Sequence, residues 1–302
     1  MRVSVDASRM CEVVSTLPGG VRVRGSGFLL RSGVVVTAWH VVEDAVVVSC
    51  RFETGSDREW SAEMGSRVRL GRSDVALVVL DQAKTAAAKG VELVGVGGFG
   101  NRAVAIKAVT FGFPRWKLRD KEAAAPAVDG GKSRFRELAQ VPAGLASAAN
   151  RRSGGCELVV AAPEPDARHP RVSAWEGMSG GPVFVDELLV GVVTDHHRQE
   201  GLGRLAAARL DMCLADLTDL PAGEVQQVLA LLGLASPGEV RLVGVPPWAA
   251  WKRQALVDQL AEIVPVDGLL DREQELAELA GLCAGADSYV YWQGGHGRAR
   301  PR

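Results

Sequence analysis

The chain has 302 residues, 47% of them hydrophobic and 24% charged, with a formal net charge of -1. That length and composition leave room for two packed units with ordinary cores, and the near-zero charge supplies no field to draw the protein onto nucleic acid or anionic lipid. No apolar run approaches the roughly 20 residues that a membrane-spanning helix needs.

In chain order, the first residues (Met1-Arg2-Val3-Ser4-Val5-Asp6) build no continuous apolar stretch, because Ser4, Asp6, Ser8 and Arg9 interrupt it. A secretory signal is therefore not expected. The five cysteines (Cys11, Cys50, Cys156, Cys213 and Cys283) are scattered and odd in number, with no CxxC or Cys/His spacing. Neither a disulfide framework nor a metal site is expected, and the compartment reads as reducing and cytoplasmic.

Up to about residue 215 the pattern is one of short β-prone runs between glycines. Val21-Arg22-Val23-Arg24 alternates with period two. Phe28-Leu29-Leu30, Val34-Val35-Val36, Val46-Val47-Val48, Val75 to Leu80, Ala103 to Phe111, Leu158-Val159-Val160, Val183-Phe184-Val185 and Leu188 to Val193 follow at turn-separated intervals. Such runs predict a mainly β fold, a sandwich or barrel, and the length fits two barrels. Residues 115–157, charged at 117–121 and then rich in Ala, Gly and Ser, read as a long loop region feeding the second barrel.

After residue 221 the period becomes helical. Val225, Val228, Leu229 and Leu232 fall at i, i+3, i+4 and i+7, and Gly233 ends the run. Pro246-Pro247 opens a second helix carrying Trp248, Trp251, Leu256, Leu260 and Ile263. Asp271 with Gln274 forms a capping-box pattern for a third. Tyr289-Val290-Tyr291-Trp292 is a short β-prone run before Gly294-Gly295-His296-Gly297.

Three segments carry residue types suited to acyl transfer: Thr37-Ala38-Trp39-His40, Ser73-Asp74-Val75-Ala76-Leu77 and Gly177-Met178-Ser179-Gly180-Gly181-Pro182. A serine hydroxyl is a poor nucleophile at neutral pH. It needs a histidine to take its proton and a carboxylate to hold that histidine in the right tautomer. Glycines about Ser179 permit a tight turn whose N–H groups can face a developing oxyanion. Ser179 alone could be an ordinary turn serine, but the apolar strand Pro182-Val183-Phe184-Val185 follows at once, as a loop presenting a nucleophile above a core requires. His40 alone could be a satisfied core histidine, yet it stands at the end of a strand. Asp74 heads an apolar run, where a buried carboxylate could meet it. Asp44 and Asp81 are rivals, the first in a polar step and the second past a strand end. His196-His197 is not expected to bind metal, since neighbours on a strand face opposite sides.

These segments, with Gly25-Ser26-Gly27-Phe28, Phe111-Gly112-Phe113-Pro114 and Gly191-Val192-Val193, resemble the trypsin-like (chymotrypsin-fold) serine proteases of bacterial type over residues 20–212. The resemblance implies two antiparallel β-barrels with the site between them, and a protease domain over 1–218. His40, Asp74 and Ser179 would be the catalytic triad, and the backbone N–H groups of Gly177 and Ser179 the oxyanion hole. Ser173 and Thr194 would belong to the substrate pocket. Met178 stands where secreted members carry an acid for their new N-terminal amine, so activation by N-terminal clipping is not expected. Ser173, small and neutral, gives no reason to expect a basic P1 side chain. Peptide or protein substrates are implied, with no cofactor and no metal.

The C-terminal part, a helical connector (219–268) and a helix-strand segment (269–302), resembles the start of a STAND-type NTPase in bacterial conflict-system proteins, on Asp271-Arg272-Glu273-Gln274-Glu275-Leu276 and the glycine-rich turn. A P-loop needs GxxxxGK[ST], which Gly294-Gly295-His296-Gly297-Arg298 lacks, so nucleotide binding there is not expected. The segment reads either as a truncated NTPase start, with an NTPase or sensor partner, or as a native helical tail. A serine endopeptidase acting in such a regulated system is the first expectation. A latent protease-fold module that binds a peptide or partner is the alternative. An α/β-hydrolase is excluded by the His, Asp, Ser order and the missing helices.

Overall fold

The computed structural model describes residues 5–81, 90–120, 134–164, 172–196 and 200–243. The chain divides into two units, Met1–Gly244 and Val245–Arg302. The expected helices after Pro246 and Asp271, the run 289–292 and the glycine-rich turn lie outside the described residues, as do His169, His197 and His296.

The first barrel is made of β1 (Met10–Thr16), β2 (Arg22–Arg31), β3 (Val34–Thr37), β4 (Val47–Phe52), β5 (Trp60–Arg69) and β6 (Ala76–Leu80). They close antiparallel in the order β1-β2-β3-β6-β5-β4. A single helical turn, α1 (Trp39–Val42), follows β3. The valines of β3 are buried on both faces, which explains their unbroken apolar run. Val35 points into the barrel with Cys11, Val13, Leu29, Val48 and Val78. Val34 and Val36 point outward, into a second core that continues into the rest of the molecule.

The chain then runs through β7 (Gly97–Gly98) into β8 (Ala105–Gly112). An antiparallel pair, β9 (Leu118–Asp120) and β10 (Arg134–Arg136), precedes β11 (Ala139–Ala146), β12 (Gly155–Val160), β13 (Pro182–Val185), β14 (Leu188–Asp195) and β15 (Arg204–Arg209). The second barrel closes in the order β11-β12-β15-β14-β13-β8. Its interior holds Ala108, Leu145, Leu158, Val183, Val190 and Leu205 among others. The fold is mainly β with two closed antiparallel barrels, as expected.

Residues 139–146 correct the loop reading of 115–157. They form a central strand whose alternate residues Ala139, Val141, Ala143 and Leu145 face inward. Pro142 precedes the stretch of β11 paired with β12, which begins at Ala143, so its missing N–H removes no bond on that side.

The core shared by the barrels joins Phe28, Val36 and Leu77 of the first to Phe111, Phe184 and Val192 of the second. The Phe184 ring meets Phe28 edge-on at 5.3 Å and Phe111 at 6.1 Å, the arrangement aromatic quadrupoles favour. Two helices, α2 (Leu210–Ala215) and α3 (Ala222–Leu232), cover this core. Val228, Leu229 and Leu232 are buried in it, and α3 ends at Gly233 with φ +67°. Last comes β16 (Arg241–Leu242), parallel to β7. The segment 219–243 thus packs within the first unit.

Candidate active site

His40 sits on α1, immediately past β3, and Asp74 immediately before β6. Since β3 and β6 are paired with Thr37 opposite Ala76, the two segments emerge side by side. Three hydrogen bonds join them. The Asp74 carbonyl accepts from the Trp39 N–H at 3.2 Å, Asp74 Oδ1 accepts from the His40 N–H at 2.8 Å, and Asp74 Oδ2 lies 2.7 Å from His40 Nδ1. A carboxylate at that distance holds the proton on Nδ1, which leaves the Nε2 lone pair to accept. Arg69 braces the turn before Asp74, donating to the Ser73 carbonyl at 2.8 Å and the Arg72 carbonyl at 3.1 Å.

Asp74 is less buried than the sequence led one to expect, with 33% of its side chain exposed and 41% of that of His40. It stands at a barrel rim rather than inside it. Burial pulls the His40 pKa down. The hydrogen bond and charge of Asp74, helped by the charges of Asp195 and Glu43, outweigh that, and the net shift is upward.

Ser179 lies in the turn between Gly177 and Gly181, ahead of β13. Gly177 and Gly180 have φ of +94° and +91°, in the region that only glycine adopts freely. Space demands glycine as well. A Cβ on Gly180 would collide with the Ser26 carbonyl, and one on Gly177 with the Arg136 guanidinium and the Phe113 carbonyl. The carbonyls of four successive residues, Glu176 to Ser179, each accept a hydrogen bond. Glu176 O accepts from the Arg115 N–H at 2.8 Å and from Arg136 Nη1 at 3.1 Å. Gly177 O accepts from Ser26 Oγ at 2.6 Å. Met178 O accepts from the Gly181 N–H at 2.9 Å, and Ser179 O from the Ser26 N–H at 2.7 Å. In a trans peptide the N–H points opposite to the C=O. Among the described residues, the N–H groups of Gly177 and Ser179 have no acceptor.

Ser26, in the segment Gly25-Ser26-Gly27-Phe28, has a part that its residue type alone does not announce. It is fully buried. Besides its two bonds to the Ser179 turn, its Oγ accepts from the Phe113 N–H at 2.9 Å and its carbonyl from Thr37 Oγ1 at 2.7 Å. It ties β2, the residue before the His40 segment and the Ser179 turn into one seam. Ser179 Oγ itself donates to the Thr194 carbonyl at 3.2 Å, and no hydrogen bond joins it to His40.

A cavity of about 330 Å³ opens beside Ser179, lined among others by Ser173, Trp175, Glu176, Met178, Asp195 and His196. Ser173 Oγ lies 2.7 Å from His196 Nδ1. Thr194 is not among the lining residues; its carbonyl holds Ser179 Oγ and its own hydroxyl faces the Ala206 carbonyl at 3.4 Å. Sequence reasoning gave Glu176, Asp195 and Arg136 no part, and weighed His196 only as a metal ligand. None of the four carries a local signal, since an acid, a base or an imidazole next to a loop is ordinarily solvated. Among the described residues no group of three or more His, Cys, Asp or Glu is placed to hold a metal, and no helix is long and apolar enough to cross a membrane.

Among solved structures, the protease Anisep from Arthrobacter nicotinovorans is 16% identical, covering 68% of this chain and 92% of its own, with a TM-score of 0.46. The active form of the Rv3671c protease from M. tuberculosis is 17% identical over 78% and 86%, TM-score 0.44. HL collagenase is 16% identical over 76% and 94%, TM-score 0.48. No protein of curated function matches the chain. The model of the trypsin-like peptidase domain matches residues 25–192, more than half of the sequence, and the chain belongs to that family.

Proposed function

We propose that the protein is a serine endopeptidase that cleaves peptide bonds through an acyl-enzyme. His40 is the general base and then the acid, Asp74 orients it, Ser179 is the nucleophile, and the N–H groups of Gly177 and Ser179 receive the oxyanion. The observation that carries this reading is the turn at Ser179. Every carbonyl from Glu176 to Ser179 is engaged by a donor, while the two N–H groups are left for a ligand. Donors fixed in advance toward a developing charge supply one of the largest contributions to acyl transfer.

In this mechanism Ser179 Oγ bonds to the scissile carbonyl carbon as its proton passes to His40 Nε2. The carbonyl π pair moves onto the oxygen, facing the two N–H groups. Collapse breaks the C–N bond, and His40 returns its proton to the departing amine. Water repeats the sequence on the ester and frees the acid. The cavity beside Ser179, with Ser173 in its wall, receives the side chain on the acyl side. A serine-directed fluorophosphonate is expected to label the folded protein, and Ser179→Ala to abolish labelling. A folded wild type that stays unlabelled overturns the proposal.

One observation favours a second reading, a latent module that binds a peptide without cutting it. The Ser179 proton rests on the Thr194 carbonyl rather than on His40. Contacts between a nucleophile and its base commonly tighten only with substrate bound. For cellular role, the resemblance of the C-terminal part supports an effector of a regulated cytoplasmic system with an NTPase or sensor partner. Co-purification of an ATPase with the full chain, lost on deletion of 245–302, would bear this out; its absence would leave a free-standing peptidase.

A further inference from the structure

We propose that Arg136 is the positioning residue of the oxyanion cradle, locking the Glu176–Gly177 peptide with its N–H toward the cleft. The inference rests on the serine-peptidase reading above. Arg136 ends β10 with only 5% of its side chain exposed, a costly place for a permanent charge that a large apolar residue could otherwise fill. Its guanidinium bonds converge on Glu176 and one neighbouring carbonyl: Nη1 on the Glu176 carbonyl at 3.1 Å and the Phe113 carbonyl at 3.3 Å, and Nη2 on the Glu176 carboxylate, at Oε1, at 3.0 Å. Its Nε has no partner. A side chain placed for the salt bridge to Glu176 alone would not also spend both Nη1 hydrogens on backbone carbonyls.

The geometry gives that carbonyl a purpose. A peptide plane has two orientations in a turn, and only one puts the Gly177 N–H in the cleft. In the flipped orientation the Glu176 carbonyl would occupy the place meant for the oxyanion. The Gly177 N–H would then face Arg136, donor against donor, and Nη1 would keep only Phe113 O. The Arg115 N–H, bound to the same carbonyl, supports the productive orientation but is neutral and therefore the weaker donor. Gly177 completes the fit, because the guanidinium occupies the space where a Cβ would stand. The lock is anchored on the first barrel: Thr54 Oγ1 donates to the Arg136 carbonyl at 2.9 Å, and the neighbouring Phe135 ring fills the space over Gly55.

The test compares the full chain with Arg136→Met and Arg136→Lys. It measures the second-order rate of labelling by a fluorophosphonate, whose phosphonyl oxygen needs the cradle. The His40 imidazole titration by NMR and the thermal midpoint are recorded alongside. Arg136→Met is expected to label up to about 10²–10³-fold more slowly, the cost of one oxyanion donor, with the His40 titration unmoved. Arg136→Lys, which keeps a cationic donor but loses the fork, is expected to fall between Met and wild type. A folded Arg136→Met that labels at the wild-type rate overturns the lock, as does a lysine variant no faster than methionine. If Arg136→Met does not fold, Arg136→Lys decides: slowed labelling with an unmoved His40 titration supports the lock, and a wild-type rate overturns it. A wild type that never labels removes the peptidase reading and the lock with it, whereas an active wild type with equally active variants removes the lock alone.

Discussion

In the proposed mechanism His40 acts as a base only while neutral, and its surroundings raise its pKa. The acid limb of kcat/KM is therefore expected at a higher pH than an unperturbed histidine would give, since that limb reports the free enzyme's base. Asp195→Asn removes one of the charges responsible and should move the limb to lower pH while leaving the Asp74 bond intact; a pH–rate profile of both forms checks this. Asp74→Asn should be far harsher, with kcat down by about 10⁴, because an amide donor beside Nδ1 selects the wrong tautomer. In stability terms the raised pKa helps fully below the unfolded value and the help fades as pH rises through the folded one. With 41% of the ring exposed, that contribution is small. Gly180 carries a different constraint. Gly180→Ala forces a side chain to φ +91° against the Ser26 carbonyl, so a loss of at least about 1–3 kcal/mol is expected from the backbone alone, measurable by urea denaturation.

At the scale of elements, legibility followed chemistry and hydrophobicity. His40, Asp74 and Ser179 stood out because acyl transfer needs those residue types beside particular turns. The valine-rich β3, β13 and β14 stood out because both of their faces are buried. β11 was hidden because its inward residues are mostly small, Ala139 and Ala143 among them, and Pro142 reads as a breaker. β1 was hidden by Glu12, a charged residue on the face of the strand opposite Cys11 and Val13. The structure explains it: Glu12 is fully buried and paired with Arg24 and with Arg51, the latter at 3.0 Å. Arg136 gave no sign because only the folded chain brings it beneath a loop forty residues away. As β11 is a core strand, Leu145→Ala should cost about 2–5 kcal/mol; a surface loop would lose almost nothing, so chemical denaturation distinguishes the two.

At the scale of the molecule, one core lies between the two barrels and under α3. A chain ending at residue 218 would uncover Leu214, Leu217 and their neighbours, whereas one ending at 244 keeps Val228, Leu229 and Leu232 over them. The longer fragment is expected to unfold in one cooperative transition and the shorter to melt lower or aggregate, which calorimetry on both would reveal. The same unity gives the Ser26 seam a consequence for control. The shape of the nucleophile turn is borrowed from the opposite lobe, through two bonds from a single serine. If the turn is the oxyanion cradle proposed above, prying the lobes apart by about an ångström or two is expected to silence catalysis while leaving each lobe's strands intact, and letting go to restore it. A binding partner gripping both lobes would have a dimmer at its disposal, with no bond cut and no segment refolded.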